Sequence, residues 1–317
     1  MTTRSRRDAL KTLGGTVVAA LGAFGLGAGP SIAGAPRRIG VQLYSLGDLA
    51  REDLFGALRS LAAIGYASTE LAGYLGRAPS DIREAHDAAG LACASAHVQW
   101  DLGTPDEPGL GGDLGLLASQ MHVLGVKDVV VPGFPPPAEL GLTPEAGEGY
   151  GFYTRVSRAL TTDHWKRRAA LLNDRGERLR GEGLRVGFHN HSLEFAPLAG
   201  RNGMEILLAE TDPQRVFFEL DIGWVVAAGL NPIDLLQSHP DRFELLHVKD
   251  VRPSPPGAPL AMQSTEVGSG VVDWRVVLRA VDAAGVRGLF VEQEPPFDKP
   301  RLTALAESFT YLRGLLS

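Results

Sequence analysis

From Arg38 onward the chain alternates short apolar runs of strand length with amphipathic runs of helix length, an order that few folds accept. Strand-like runs lie at Ile39 to Tyr44, Ala67 to Leu71, Leu91 to Val98 and Asp128 to Pro132, with helices near Arg51 to Ile64, Ser80 to Ala89, Leu114 to Leu124 and Thr162 to Gly181. Further strands follow at Leu184 to His189, Val216 to Asp221, Phe243 to Lys249 and Gly288 to Glu292, with helices near Pro232 to Gln237, Trp274 to Ala284 and Arg301 to Leu315. Eight strand and helix units are the number that closes a parallel (β/α)8 TIM barrel. Gly65, Gly90, Gly125, Gly183 and Gly285 each precede a strand, as a left-handed helix cap before a short loop requires.

No break in composition divides residues 36–317, so a single α/β domain of about 280 residues is expected. Two irregular segments stand out. Gly133 to Tyr153, rich in proline and glycine, follows the fourth strand and should lie over the mouth, as a lid or as a plain surface loop; Arg252 to Val267 follows the seventh.

Residues 1–35 do not belong to this pattern. Ser5-Arg6-Arg7-Asp8-Ala9-Leu10-Lys11 precedes an apolar, glycine-rich stretch from Leu13 to Ala28, and Ser31 and Ala33 are small enough for a signal peptidase. This resembles a twin-arginine export signal, although Ala9 stands where a large apolar residue is usual. It implies the twin-arginine translocation machinery as a partner and a periplasmic location. The stretch is short and glycine-rich for a membrane anchor, and no later apolar run is long enough to span a bilayer, so no stable membrane insertion is expected after its removal.

The single cysteine, Cys93, cannot form an internal disulfide and is expected as a buried structural thiol. The formal net charge of −6, with Lys and Arg dispersed among acidic residues, argues against a nucleic-acid partner, which needs a basic stripe.

Four runs of the second half each stop on, or just before, a metal-competent side chain: Arg185 to Glu194, Val216 to Asp221, Phe243 to His247 and Gly288 to Glu292. In a parallel barrel the C-terminal strand ends converge on one mouth, so these side chains can surround one divalent ion. Strand alternation turns Phe217, Glu219 and Asp221 inward, along with His247 and Lys249, Glu292 and Glu294, and His189 and His191. The same parity directs Gln42, Tyr44, Glu70 and His97 to the mouth as substrate-facing residues. Trp224, Tyr44, Trp100 and Phe297 offer apolar faces for a sugar ring. Gly268-Ser-Gly270 reads as a turn or a short phosphate cradle, and Asp273 as a helix N-cap.

Gly40-Val-Gln-Leu-Tyr-Ser45, His189-Asn-His-Ser-Leu-Glu-Phe195, Leu220-Asp-Ile-Gly-Trp224, Leu246-His-Val-Lys-Asp250 and Val267-Gly-Ser-Gly-Val-Val-Asp-Trp274 together resemble the xylose-isomerase-like sugar phosphate isomerases and epimerases. The resemblance spans essentially the whole chain after the leader. It implies a TIM barrel with one divalent ion at its mouth, manganese foremost, with zinc, cobalt or magnesium as alternatives. Carried over by position, it makes Asp221, His247 and Glu292 metal ligands. For the fourth, similar epimerases place a glutamate at the end of strand five, where this chain has His189, with Glu194 five residues on. A hard ion prefers Glu194; zinc or manganese accepts His189. His191 and Lys249 are then substrate contacts, as are Trp224 and His189.

Such a site suits carbohydrate chemistry next to a carbonyl. Removing that weakly acidic proton leaves negative charge on the carbonyl oxygen, which a divalent ion stabilises, while two carboxylates, Glu194 and Glu292, remove and return the proton. The expected activity is isomerisation or epimerisation of a sugar or keto-sugar through an enediolate. Its rivals are a 3-keto-glycoside lyase or hydratase using the same ion, a metal-dependent endonuclease, which would need more ligands and a basic rim, and a non-catalytic periplasmic sugar-binding protein.

Overall fold

The computed structural model describes residues 38–253 and 263–317, Tyr150 by its backbone alone. The expected leader and the middle of the segment Arg252 to Val267 lie outside the described residues. Ten strands run in chain order: β1 Ile39–Gln42, β2 Ser68–Ala72, β3 Ala92–His97, β4 Asp128–Val131, β5 Arg185–His189, β6 Val216–Asp221, β7 Phe243–Val248, β8 Asp250–Val251, β9 Ser264–Thr265 and β10 Gly288–Val291. Eight of them close a parallel barrel in the order β1-β10-β7-β6-β5-β4-β3-β2, while β8 and β9 pair antiparallel outside it. The TIM barrel read from the alternation is therefore the observed fold.

Outward side chains such as Val186, Phe188, Phe218, Leu220 and Leu246 pack under the helices and form most of the core. Inward side chains form tiers along the axis, as alternation demands. The lowest tier is apolar: Val130, Phe217, Leu245 and Phe290. Two glycines make room for it. A Cβ on Gly187 would lie 2.4 Å from the Phe217 ring, and one on Gly40 would lie 2.5 Å from Phe290. Below this floor Arg185 and Arg287 lie over the Phe217 ring, at 4.9 and 5.5 Å from its centroid, and both pair with Asp128 and Glu244. One residue pair further up each strand, Glu219, His247 and Glu292 replace the apolar side chains.

The glycine caps are found where expected. Gly90 and Gly125 adopt φ of +70° and +77° after the helices Pro79–Ala89 and Leu114–Leu124, a conformation that a Cβ would strain.

Several elements differ from the sequence reading. β1 ends at Gln42, because its side chain accepts the Tyr44 amide (3.1 Å) and turns the chain into a 3-10 helix over Leu43–Leu46. Tyr44 is consequently 52% exposed, and strand parity no longer applies to it. The helix expected near Arg51 to Ile64 breaks at Asp53, which caps Leu54–Ile64 through the Gly56 amide. The irregular segment Gly133 to Tyr153 gives way to a helix already at Tyr150–Ala159, and contains a 3-10 turn at Ala138–Leu140. It is tied to the outer layer: Phe134 stacks on Phe188, Arg167 pairs with Glu139, and the Pro135 carbonyl accepts from Arg168. The helices Gly203–Glu210 and Ile222–Ala227 add to the elements expected from the alternation.

Candidate active site at the mouth of the barrel

Three strand ends bring Asp221, His247 and Glu292 together, each offering a ligand atom within 4.8 Å of the others. Asp221 and His247 are fully buried register partners on β6 and β7. Nδ1 of His247 lies 2.8 Å from Oε2 of Glu292 and 3.7 Å from Oδ2 of Asp221. Lys249, one alternation beyond His247, places its buried Nζ 2.8 Å from Asp221, 2.7 Å from Glu292 and 2.6 Å from Glu294. Asp221 Oδ2 makes that ion pair without hydrogen-bond geometry, while Oδ1 accepts the Trp224 amide at 3.0 Å and so starts the next helix.

Below this group sits a second one, His97, His189, Glu219 and His247, whose ligand atoms also lie within 4.8 Å of one another. Oε2 of Glu219 is 2.9 Å from His97 Nε2, 3.1 Å from His189 Nδ1 and 3.1 Å from His247 Nε2. Glu70 closes the tier, with Oε1 2.6 Å from His247 Nε2 and accepting from Gln42 Nε2 at 2.8 Å, and with Oε2 accepting from Ser95. Sequence parity turned Glu219 inward but did not single it out as a ligand; the signal that could have found it is its position two residues below Asp221 on the same face.

Burial opposes every charge here, and neighbours decide the outcome. His97 is desolvated, yet Glu70 and Glu219 push its pKa up to about 9. Burial works against the imidazolium of His247 too, but Glu219 and Glu292 raise it. His189 goes the other way, lowered by burial and by the neighbouring His247 and His191. Burial disfavours the ammonium of Lys249 and is overcome by Asp221, Glu292 and Glu294. For Glu70 and Glu292 burial is likewise outweighed: His97 and His247 hold the first carboxyl low, Lys249 and His247 the second.

Glu194, one of the two alternatives for the fourth ligand, does not stand on a barrel strand. It stands on a 3-10 turn, Leu193–Phe195, buried, with Oε2 accepting the His191 amide at 2.8 Å. It belongs to neither ligand group, because the chain turns immediately after β5 and carries the carboxyl out of the strand's line. Desolvation raises its pKa, only partly offset by the turn's amides and Arg168. His191 and Trp224 face each other at 5.3 Å between ring centroids, and Lys249 Nζ lies 5.5 Å from the Trp224 ring, so three of the expected substrate contacts line one wall. Trp100 packs on Phe134, and Phe297 lies under Arg301.

The glycine loop is not a phosphate cradle. Its amides at Gly268 and Gly270 donate to Oδ2 of the buried Asp250, at 2.9 and 3.3 Å, so an internal carboxylate already fills that role. Asp273 caps the helix Trp274–Ala283 as expected. Cys93 is a buried free thiol whose pKa burial pushes up. Among the described residues no helix is long and apolar enough to cross a membrane.

A parallel eight-stranded barrel with histidines and carboxylates converging at the C-terminal strand ends defines a class of metal-competent TIM-barrel proteins. The chain matches the xylose isomerase-like TIM barrel family over residues 58–315 and belongs to it. It is similar to an inosose dehydratase of Lacticaseibacillus casei, at 24% identity over 266 residues, 77% of this chain and 84% of that protein. An inosose dehydratase of Geobacillus thermodenitrificans is 30% identical over 154 residues, 44% of this chain and 51% of its own. Among solved structures, a sugar phosphate isomerase/epimerase from Parabacteroides distasonis gives a TM-score of 0.70 at 26% identity, covering 90% of this chain and 98% of that one. A 3-keto-D-glucoside 4-epimerase from E. coli, at 18% identity and a TM-score of 0.54, covers 88% of this chain and 99% of its own and shares the fold.

Proposed function

We propose that the chain is a metal-dependent enzyme that moves a proton next to the carbonyl of a sugar or keto-sugar, isomerising or epimerising it through an enediolate. The observation that carries this reading is the convergence of Asp221, His247 and Glu292 at the C-terminal ends of the barrel strands, with Lys249 Nζ 2.7 Å from Glu292. The donor set fits a divalent ion: two carboxylates and an imidazole suit manganese, zinc or cobalt, and magnesium less well. When bound, the ion would supply Lewis acidity for the charge that develops on the carbonyl oxygen.

The chain's own groups supply the proton steps. Glu292 accepts the proton from the carbon next to the carbonyl, and Lys249, whose ammonium touches that carboxylate, holds the charge and orients a hydroxyl. Glu194, from the turn after β5, is the second carboxylate for proton return. His191 and Trp224 form the wall against which the ring rests. The floor beneath, closed by Phe217 and Phe290, keeps bulk water from reaching the site from below.

A second reading shares the proton abstraction and parts from the first at the next step. If a β-hydroxyl or β-alkoxide leaves after proton removal, the result is dehydration or elimination; the similarity to inosose dehydratases favours a keto-polyol or 3-keto-glycoside for that branch. Turnover of a keto-sugar in deuterated water decides the matter. Solvent deuterium should enter at the carbon next to the carbonyl, beyond an enzyme-free control, and Glu292→Gln should stop both exchange and product formation. Undiminished turnover by that variant removes Glu292 from the chemistry, and an unsaturated product identifies the elimination branch.

We further propose export by the twin-arginine route to the periplasm, on the strength of Arg6-Arg7 ahead of a weakly hydrophobic stretch. Replacing both arginines by lysine should leave the precursor in the cytoplasm. Normal periplasmic accumulation would mean that another route reads the leader.

A further inference from the structure

We infer that the barrel holds a second cation seat beneath the one at the mouth, formed by His97 Nε2, His189 Nδ1, Glu219 and His247 Nε2, and suited to a zinc-like transition metal. It does not depend on which sugar reaction the mouth performs.

Geometry is the first support. Three ring nitrogens, from β3, β5 and β7, lie 2.9, 3.1 and 3.1 Å from one oxygen of Glu219 on β6. Zinc bound to nitrogen and oxygen at about 2.0–2.1 Å places neighbouring tetrahedral donors about 3.4 Å apart. The three nitrogen–oxygen separations therefore need to widen by only about half an ångström or less to admit an ion, and all four donor atoms already lie within 4.8 Å of one another. Three imidazoles and one carboxylate select zinc or cobalt over magnesium or calcium, which prefer oxygen.

Glu219 supplies an independent sign. It is fully buried, and its other oxygen, Oε1, has no hydrogen-bond partner among the described residues. A buried carboxylate oxygen without a donor is costly, and a bidentate grip of Glu219 on the ion would satisfy it.

Charge points the same way. The two tiers hold five carboxyl groups, Glu70, Glu219, Asp221, Glu292 and Glu294, against one ammonium, Lys249, so acidic groups outnumber the fixed cation. Glu70 Oε1 lies against the same two donor nitrogens, 3.1 Å from His97 Nε2 and 2.6 Å from His247 Nε2, so it is a further oxygen at the edge of the seat, itself held by Gln42 and Ser95.

His247 joins the seats. Its Nδ1 faces Glu292 and its Nε2 faces Glu219 and Glu70, so one ring addresses both. With both seats filled the ring would offer one nitrogen to each ion and carry no N–H proton.

The test is anomalous diffraction at the metal absorption edge from crystals of the unmodified protein grown with zinc or cobalt chloride. Two peaks are expected inside the barrel, the lower about 2.0–2.2 Å from His97 Nε2, His189 Nδ1 and a Glu219 oxygen. A single peak at Asp221 and Glu292 overturns the lower seat and leaves the mouth reading standing. A single peak in the lower seat sustains this inference and removes the mouth ion. In solution, cobalt titration should count two ions per chain for the wild type and one each for His97→Gln and Asp221→Asn. Loss of both ions in Asp221→Asn overturns the lower seat, provided that circular dichroism shows the variant folded.

Discussion

The carboxylate of Asp250 accepts the indole N–H of Trp274 at 2.8 Å across 24 residues of chain. The same carboxylate takes the amides of Val251, Gly268, Gly270 and Val272, so one buried side chain gathers the strand after His247 and the loop that leads to the next helix. A Cβ on Gly270 would lie 2.1 Å from its Oδ1, which explains the glycine there. Because Asp250 follows Lys249 directly, this loop also fixes the backbone from which Lys249 reaches the mouth.

Asp250→Asn should therefore be among the more damaging single-atom exchanges in the chain. It weakens several charge-assisted hydrogen bonds and turns an amide donor towards other donors, for an expected loss of about 2–3 kcal/mol. Urea unfolding measures it. A change below about 0.5 kcal/mol would mean that the amides find other acceptors.

Lys249→Met removes the ammonium that pairs with Asp221, Glu292 and Glu294. Without divalent ions the three carboxylates lose their compensating charge, and a loss of about 3–5 kcal/mol is expected. Manganese or zinc should restore most of it, since the ion takes over the role of the ammonium. The check is the melting temperature with chelator and with metal; a variant equally stable in both would show that Lys249 does not balance these carboxylates.

Gly187→Ala introduces a Cβ 2.4 Å from the Phe217 ring, in the floor of the barrel where neither strand can retreat. Overpacking of this kind costs about 1–3 kcal/mol. Gly314→Ala, in the helix Arg301–Leu316 with nothing within 4 Å of the new atom, should be neutral or gain about 0.5–1 kcal/mol. Equal midpoints for the two variants would contradict the tiered packing.

Glu244 gives a pH dependence whose sign is fixed. Burial alone would raise its carboxyl pKa, but Arg185 and Arg287 outweigh it and hold the folded value below the ordinary one. Its contribution is therefore complete above the unfolded value, about 4.3, and is lost as pH falls through the lower folded value. Glu244→Gln should flatten the acid side of the urea-midpoint profile below about pH 5. Parallel profiles for wild type and variant would show that the pair adds no stability.

Which features are readable from the chain alone depends on the force that sets each one. Period-two alternation is a local, strict rule, so the inward faces of β6 and β7, and with them Asp221, His247 and Lys249, are legible from Val216 to Asp221 and Phe243 to Lys249. Glu219 is legible as inward yet not as part of a cluster, because its partners His97 and His189 come from strands that only the closed barrel brings beside it. The position of Glu194 is not legible, since it depends on a turn of three residues rather than on any repeat. The helix Gly203–Glu210 does carry a sequence signal: Asn202 accepts the Glu205 amide, the Asn-x-x-Glu start of a capped helix. Tyr44 leaves the strand because Gln42 bonds to its amide, a side-chain choice that alternation does not encode.

The apolar floor of Val130, Phe217, Leu245 and Phe290, with Arg185 and Arg287 beneath it, closes the lower end of the barrel. Traffic through that end would have to displace aromatic rings held under two guanidinium groups. The polar tier of Glu219 and His247 is therefore supplied and emptied from the C-terminal side of the strands, so a substitution in the floor should change stability before it changes exchange with solvent.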